Sequence, residues 1–597
     1  MTLGGANTAN GYSGGDYLSE ESVLRSYPLY PTKKRRCCNV NGDGFTIISA
    51  CFCIFTTALT IAFIAQLNYG SPQVTPHGAV STDEEECSHV GITVMRDGGS
   101  AVDVAIASIL CMTVVHPHAV GPGGSGVMLV HDHKTNTSTV VDFMSGVPRS
   151  HRADEDQPLP TDGRSIGVPG LLRGLEYAHT KFGKLPWRKL FQPSIDIARK
   201  GFFVSAHLEE ALGKSNVTQV DGVTEFDKTF FPRGIMLKKG AFLQRENYAE
   251  FLEVVAKHGA DSFYALNFGV EEMEALQENG AEIHVKDFED YEPRERPCIH
   301  MSLNNMSVFT APAPFGGPQL LTALQLLRNT NLTTHLPLSN YYHSFIEAIR
   351  RSYAGFVGLA DAEEAELQNM THALLQSTSS EWIDQTVTAA DPNVFRLPEQ
   401  TASSVSVIDT FDRYVTVIAG LGTYFGSRVM TKSGILFNNH LSNMPPHSHP
   451  DSEHFSHARP LNTYTPVIIT DVQQVCGMRA VLSSPEVGAM IQVISQLLLR
   501  GQNLTQAIQQ PRITIRPGLD QVFVEDMGSI DRLPGTVRND LQTMNHTLQI
   551  IHLPYSSVNG VSKTKDKLVS RSDARGGGVA HRLEPASTHT VNITTDL

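Results

Sequence analysis

The chain has 597 residues, 41% hydrophobic and 18% charged, with a formal net charge of -14. That balance excludes a collagenous or wholly disordered protein, and the acidic excess excludes the basic footprint of a nucleic-acid binder. Eight cysteines in so long a chain do not make a disulfide scaffold, and no repeat of roughly 20 to 50 residues points to a solenoid or propeller.

The N-terminal stretch MTLGGANTANGYSGGDYLSEES is too polar to bury a core, so residues 1–44 read as a disordered tail. From Phe45 to Leu67 the run FTIISACFCIFTTALTIAFIAQL carries no charge. It meets the length of about 20 apolar residues that a membrane-spanning helix needs. A secretory signal peptide would have a shorter apolar run nearer the N-terminus, so 45–67 is taken as a signal anchor and the membrane as a partner. KKRR at 33–36 has no counterpart after the span, which places the tail in the cytoplasm. The N-x-S/T sequons at Asn136, Asn216, Asn305, Asn331, Asn369, Asn503, Asn545 and Asn592 all follow the span. Sequons are acceptors only on the lumenal side, so the expectation is a type II protein with a glycosylated extracellular or lumenal ectodomain. Cys37 and Cys38, beside the span, are either palmitoylation sites or free thiols.

Residues 68–83 read as a stalk. Beyond them, a helix starts at about Ser100, with the small residues Ala101, Ala105 and Ala107 suited to packing on a sheet. GPGGSG at 121–126 matches a dinucleotide fingerprint by letter. It lies between a helix and a strand, the reverse of the order that motif needs, so it is a tight turn. GVMLVHD and STVVDF flank KTNT as in a hairpin. LPWRKLFQPSIDIARKGF (185–202) and AMIQVISQLLLRG (489–501) read as helices, and QQPRITI turns toward a strand. Helices and strands are mixed rather than alternating, which favours a layered α+β fold. Cys87 and Cys111 are either a disulfide, worth about 3 kcal/mol in the loop-entropy picture, or two buried thiols; Cys298 and Cys476 have no assignment. The histidines of PPHSHPDSEHFSH (445–457) sit among prolines and polar residues, so the loop is read as solvated and no metal or cofactor is expected.

RDGGSAVDVAIASILC, IGVPGLLRGLEYAH, GKLPWRKLFQPSIDIARKGF, YFGSRV, SGILFNN and QAIQQPR together resemble the gamma-glutamyltransferases, also called glutathione hydrolases. The likeness runs from about Glu84 to Ala580. The TASS run and the extended tail look most like the branch numbered seven. The resemblance implies a four-layer αββα sandwich of the N-terminal-nucleophile hydrolase type. It also implies a precursor that cuts itself before a threonine, so that 84–400 would be a large-subunit-like region and 401–597 a small-subunit-like region of one ectodomain. That threonine would attack the γ-glutamyl amide of glutathione or another γ-glutamyl compound, with its own amine as base. Cys87 and Cys111 match paired cysteines of the family.

The family's small subunit opens with a pattern similar to T-x-H-x-S-V-V, and QTASSVSVID at 400–409 contains its S-V-V portion as SVI. Counted back from Ser406, the nucleophile position falls on Ala402. Thr401, the candidate nucleophile, is one residue out, and a one-residue slip turns a side chain to the other face. Either a β-bulge or a longer turn at TFDR would restore it. At the remaining site positions the residues differ from those the resemblance implies. Met144 stands for a carboxylate-binding arginine, Gly422 for an asparagine, and His440 and Asn443 for a glutamate and an aspartate. Asn462 and Thr463 stand for paired serines. Pro485 and Glu486 stand for the glycines of the oxyanion hole, and proline has no N–H to donate. The sequence therefore implies a family member with weak or no turnover, or else a glycosylated pseudoenzyme serving as a binding or assembly module.

Overall fold

The computed structural model describes residues 44–69, 78–151, 159–215, 224–265, 269–330, 337–359, 364–378, 397–444, 458–474, 476–515, 521–525, 533–551, 557–565 and 567–583. Cys37, Cys38, Asn216, Asn331, Asn592 and the histidine-rich loop 445–457 lie outside the described residues. The chain divides into two compact units, Met1–Val74 and Thr75–Leu597. In the first, α1 (Gly44–Tyr69) has a stretch from Gly44 to Ala65 of mean hydropathy 2.3, none of it buried within the protein. It is long and apolar enough to cross a membrane.

In chain order the second unit presents β1 (Gly78–Thr82), α2 (Glu85–Arg96), α3 (Ala101–Val115), β2 (Ser125–Asp132), β3 (Thr137–Phe143), α4 (Leu171–Phe182), α5 (Trp187–Lys200) and α6 (Glu246–His258). There follow β4 (Arg294–Pro297), β5 (Ile299–Leu303), β6 (Met306–Thr310), α7 (Gly317–Asn329), α8 (Leu338–Val357), β7 (Thr401–Ile408) and β8 (Arg413–Gly422). The remaining elements used below are β9 (Thr465–Asp471), β10 (Met478–Ser484), α9 (Val487–Ile494), β11 (Asn559–Thr564), β12 (Lys567–Arg571) and β13 (His581–Leu583). One antiparallel sheet runs β13-β1-β7-β8-β2-β3-β4 and a second runs β12-β11-β10-β9-β6-β5.

The two sheets stack face to face. Val127, Leu129, Ile408, Ile418, Ile468 and Val481 meet between them. The outer face of the first sheet, through Val405, Val407, Val415 and Val417, packs on α2 to α6. The outer face of the second packs on α7, α8 and α9. This is the αββα sandwich that the resemblance implied. Strands covered on both sides read as near-continuous apolar runs, as VTVIAGLG in β8 does.

α3 carries the first layer. All of its residues are buried, so its small, all-round apolar composition is what a core helix requires. Its N-terminal donors are satisfied from both ends of the chain. Ser100 and Asp103 form a capping box, and the Asp409 carboxylate accepts the Ala101 N–H at 3.0 Å. Cys87 of α2 and Cys111 of α3 are joined by a disulfide. The predicted hairpin is β2–β3, and the predicted helices at 185–202 and 489–501 are α5 and α9 with its continuation. The glycine turn ahead of β2 exists because backbone passes close by: a Cβ on Gly123 would lie 2.3 Å from the Leu436 carbonyl oxygen.

One expectation is corrected. Residues 78–83 are not stalk, because β1 is a fully buried strand between β13 and β7. GAVST has small side chains and no polar alternation, so its burial on both faces left no periodic mark. Just past β1, the Asp83 carboxylate ties both sheets together. It accepts the Ser404 N–H of β7 at 2.8 Å, the Asn559 amide of β11 at 2.7 Å and the Ser557 hydroxyl. A second buried knot, Arg512 and Arg575 with Asp573 and Glu525, closes the C-terminal side at 2.6–2.9 Å.

Asp83→Ala removes the acceptor shared by three buried donors, of which the Asn559 amide keeps its 3.0 Å contact with the Ser404 hydroxyl; each lost bond is worth about 1–3 kcal/mol. The expected loss is at least about 3 kcal/mol by denaturant titration of the ectodomain. An unchanged unfolding midpoint would contradict this account of Asp83.

Candidate active site

β7 begins with Thr401, which is half-buried. Thr401 pairs with Gly422 and Ala402 with Gly420, so Leu421 is an extra residue and the bulge belongs to β8. β7 itself alternates without interruption. Ala402 and Ile408 enter the inter-sheet core, whereas Val405 and Val407 enter the helix-side core. Thr401 therefore shares the face of Ser403 and the valines. The turn after β7 is Thr410 to Asp412, with Asp412 at φ 62°, a three-residue hairpin loop closed by a left-handed residue.

Gly422 sits at φ 103°, and a Cβ there would lie 2.0 Å from Asn439 Oδ1. Asn439 fills the space a side chain at 422 would use. Its oxygen accepts the Thr423 N–H at 3.1 Å and its amide donates to the Thr423 hydroxyl at 2.7 Å. The position that the resemblance gives to an asparagine therefore has neither the conformation nor the room for one.

Met144 and His440 do come together. The Ser125 hydroxyl lies 3.5 Å from the Met144 sulfur and 3.1 Å from His440 Nδ1, and the Ser145 hydroxyl lies 2.9 Å from the same nitrogen. Burial pushes the His440 pKa down to about 3, so the imidazole is neutral at physiological pH. The Tyr464 ring stands beside His440, 6.5 Å between centroids. The Tyr464 hydroxyl lies 2.2 Å from where a Cβ on Gly420 would be, so it occupies the volume between β8 and the inter-sheet core.

Asn443 and Asn462 converge on Gln400, the residue ahead of Thr401, with contacts of 3.0 and 3.4 Å. The Thr463 hydroxyl donates to the Pro485 carbonyl oxygen at 2.7 Å. The Glu486 N–H, the one backbone donor left at that pair, is engaged by Ser484 Oγ at 3.2 Å within its own turn. At the pair that the resemblance gives to an oxyanion hole, one backbone donor is absent and the other is occupied.

A cavity of about 310 Å³ opens beside Thr401, with His116, His118, His207, Tyr424 and Pro485 in its wall. His116 and His118 stack edge to face at 4.1 Å. His116 Nδ1 lies 3.1 Å from the Ser403 hydroxyl, and its Nε2 lies 3.6 Å from Glu84 Oε1. Burial, then the neighbouring His207, pushes the His116 pKa down to about 3. Burial, then the Asp83 charge, pushes Glu84 up to about 7. The Glu84–His116 contact is therefore not a standing ion pair, because the imidazole is neutral and the carboxyl half-protonated near neutrality. Among the described residues no group of three His, Cys, Asp or Glu side chains is arranged to hold a metal ion. Sequence reasoning passed over Gln400, Asn439, Tyr464 and this imidazole cluster. The only local sign was the H-P-H spacing in VVHPHAVG.

The sequon residues Asn136, Asn305, Asn369, Asn503 and Asn545 are all exposed.

The sequence profile described as Gamma-glutamyltranspeptidase matches residues 87–583. The human protein named "Glutathione hydrolase 7" is 30% identical over 500 residues, covering 80% of this chain and 75% of its own. The rat "Glutathione hydrolase 5 proenzyme" is 28% identical over 543 residues, covering 85% of this chain and 93% of its own. Among solved structures, the cephalosporin acylase from Bacillus halodurans superimposes with a TM-score of 0.72 at 20% identity, covering 86% of this chain and 98% of its own. At that identity the likeness speaks for the fold.

Because the folded pKa of Glu84 is raised, stability tied to its protonated form is present below about 4.5 and lost as pH rises through about 7. Glu84→Gln removes that loss. Relative to wild type, the variant is expected to gain up to about 3 kcal/mol between pH 4.5 and pH 8, read as Tm against pH. A difference that stays constant with pH refutes the assignment.

Proposed function

The chain belongs to the gamma-glutamyltranspeptidase family, and from that premise we propose a membrane-anchored ectoprotein whose site addresses the γ-glutamyl bond of glutathione or a related compound with weak or no turnover. The span at 45–67 anchors it, with residues 1–44 in the cytoplasm and the sequon asparagines glycosylated outside. Residues 84–400 and 401–597 then form the large- and small-subunit-like parts of one ectodomain.

In this reading the Thr401 hydroxyl is the nucleophile. It would first attack the carbonyl of Gln400, moving that acyl group from the Thr401 nitrogen to its oxygen; water then hydrolyses the ester, which cuts the chain and frees the Thr401 amine as base. The hydroxyl would then attack the substrate amide, expelling its amine and leaving a γ-glutamyl ester for water or an acceptor amine to take. Each attack places negative charge on a carbonyl oxygen. Pro485 offers no donor to that oxygen, and the Glu486 N–H is engaged by Ser484. Loss of one such donor alone lowers rates by about 100- to 1000-fold. The observation that carries the proposal is electrostatic. Where an arginine, a glutamate and an aspartate are implied, the chain has Met144, a neutral His440 and Asn443, all buried and engaged within the protein. A zwitterionic γ-glutamyl group finds no fixed charge at these positions.

A second reading, a binding or assembly module without turnover, is favoured by the loss of the oxyanion donors, since that would disable cutting as well as hydrolysis. The secreted ectodomain, run on a denaturing gel and assayed with γ-glutamyl p-nitroanilide, tests both. The expectation is at most a trace of chain split near residue 400, and activity at least about 100-fold below that of an intact family enzyme. Full conversion to two bands, with rapid turnover abolished by Thr401→Ala, sinks the proposal. Trace turnover lost in the same variant favours the weak enzyme over the module.

A further inference from the structure

Gln400 is 6% exposed, and both polar atoms of its side chain are satisfied. Its Nε2 donates to Asn443 Oδ1 at 3.0 Å and to the Pro398 carbonyl at 3.0 Å. Its Oε1 accepts from Asn462 Nδ2 at 3.4 Å. The two asparagines are themselves fixed and buried. Asn443 Nδ2 donates to the Leu461 carbonyl at 3.0 Å, and Asn462 Oδ1 accepts the Tyr464 N–H at 2.8 Å. These outer bonds decide which end of each amide faces inward. Asn443 must present its oxygen and Asn462 its NH2.

Inward, then, the pair offers one acceptor and one donor to a single group, with the Pro398 carbonyl as a second acceptor. A primary carboxamide complements all three. A carboxylate would set its lone pairs against the oxygens of Asn443 and Pro398, and an ammonium would meet the Asn462 NH2 donor to donor. Discrimination of this kind comes from the mismatched partner left buried.

We propose that Asn443 and Asn462 form a subsite selective for a primary carboxamide, occupied in the uncut chain by the side chain of Gln400. The inference rests on the reading that these two positions belong to the amino-acid end of the substrate site. It changes the ligand class from a zwitterion to a neutral amide, and it makes the segment ahead of Thr401 the resident occupant. Gln400 also lines the 310 Å³ cavity beside Thr401, so a small ligand has a route to the subsite once the side chain is removed.

The test is rescue by the missing fragment, in the full-length chain in detergent. Gln400→Ala keeps Cβ and deletes the fragment that acetamide reproduces, and acetate is its isosteric anion. Acetamide is expected to raise the Tm of the variant saturably, by about 2 °C. Acetate should not do so, and wild type should respond to neither. Equal responses to amide and anion, or none in a folded variant, overturn the proposal. If Gln400→Ala does not fold, Gln400→Glu replaces it. Its carboxylate faces two carbonyl oxygens, so its Tm deficit against wild type should be larger at pH 8 than at pH 5; a deficit that does not change with pH overturns the proposal. Turnover is measured in parallel. Amide-selective rescue in an enzyme of full activity overturns the weak-turnover reading alone, and absent rescue in an inactive protein overturns the carboxamide subsite alone.

Discussion

A buried carboxylate, Asp83, sits where the two sheets and the first strand meet. β1 pairs with β7 only as far as Thr82 opposite Val405. The Ser404 N–H therefore lies beyond the end of its neighbour, and an unpaired donor at that depth is costly. Asp83 accepts it, and with its other oxygen takes the Ser557 and Asn559 donors from the second sheet. Burial raises the pKa of this carboxyl while the three donors pull it down, so the group is held by its partners against its own desolvation. The position of β7, and with it every contact around Thr401, depends on that balance.

Much of the scaffold was legible because its signals are local. The start of α3 near Ser100, the KTNT turn between β2 and β3, and the apolar run of α9 can each be read within a short window. β1 was not legible, since five small residues buried on both faces look like a linker. The bulge at Leu421 was also hidden. Sequence counting located a one-residue discrepancy near Thr401, but it searched for the surplus in β7 or in the turn after it. The structure places a bulge in the partner strand instead, and nothing in GLG marks it.

Within the site, the substituted positions could be named from resemblance, but their consequences could not. The burial that makes His440 neutral, and the twin serines that hold it, come from β2 and the chain after β3. The grip on Gln400 joins residues around 400, 443 and 462. Contacts between segments so far apart in sequence carry no periodic pattern. They exist only once both sheets are stacked.

Gly422 has a consequence for substitution as well as for shape. Its left-handed backbone and the Asn439 side chain lying against it are two separate obstacles to any side chain at this position. A larger residue would need the strand to change its path and Asn439 to withdraw from its bonds to Thr423. A single substitution at 422 therefore meets both costs at once, and only a paired change at 422 and 439 spreads them over two residues.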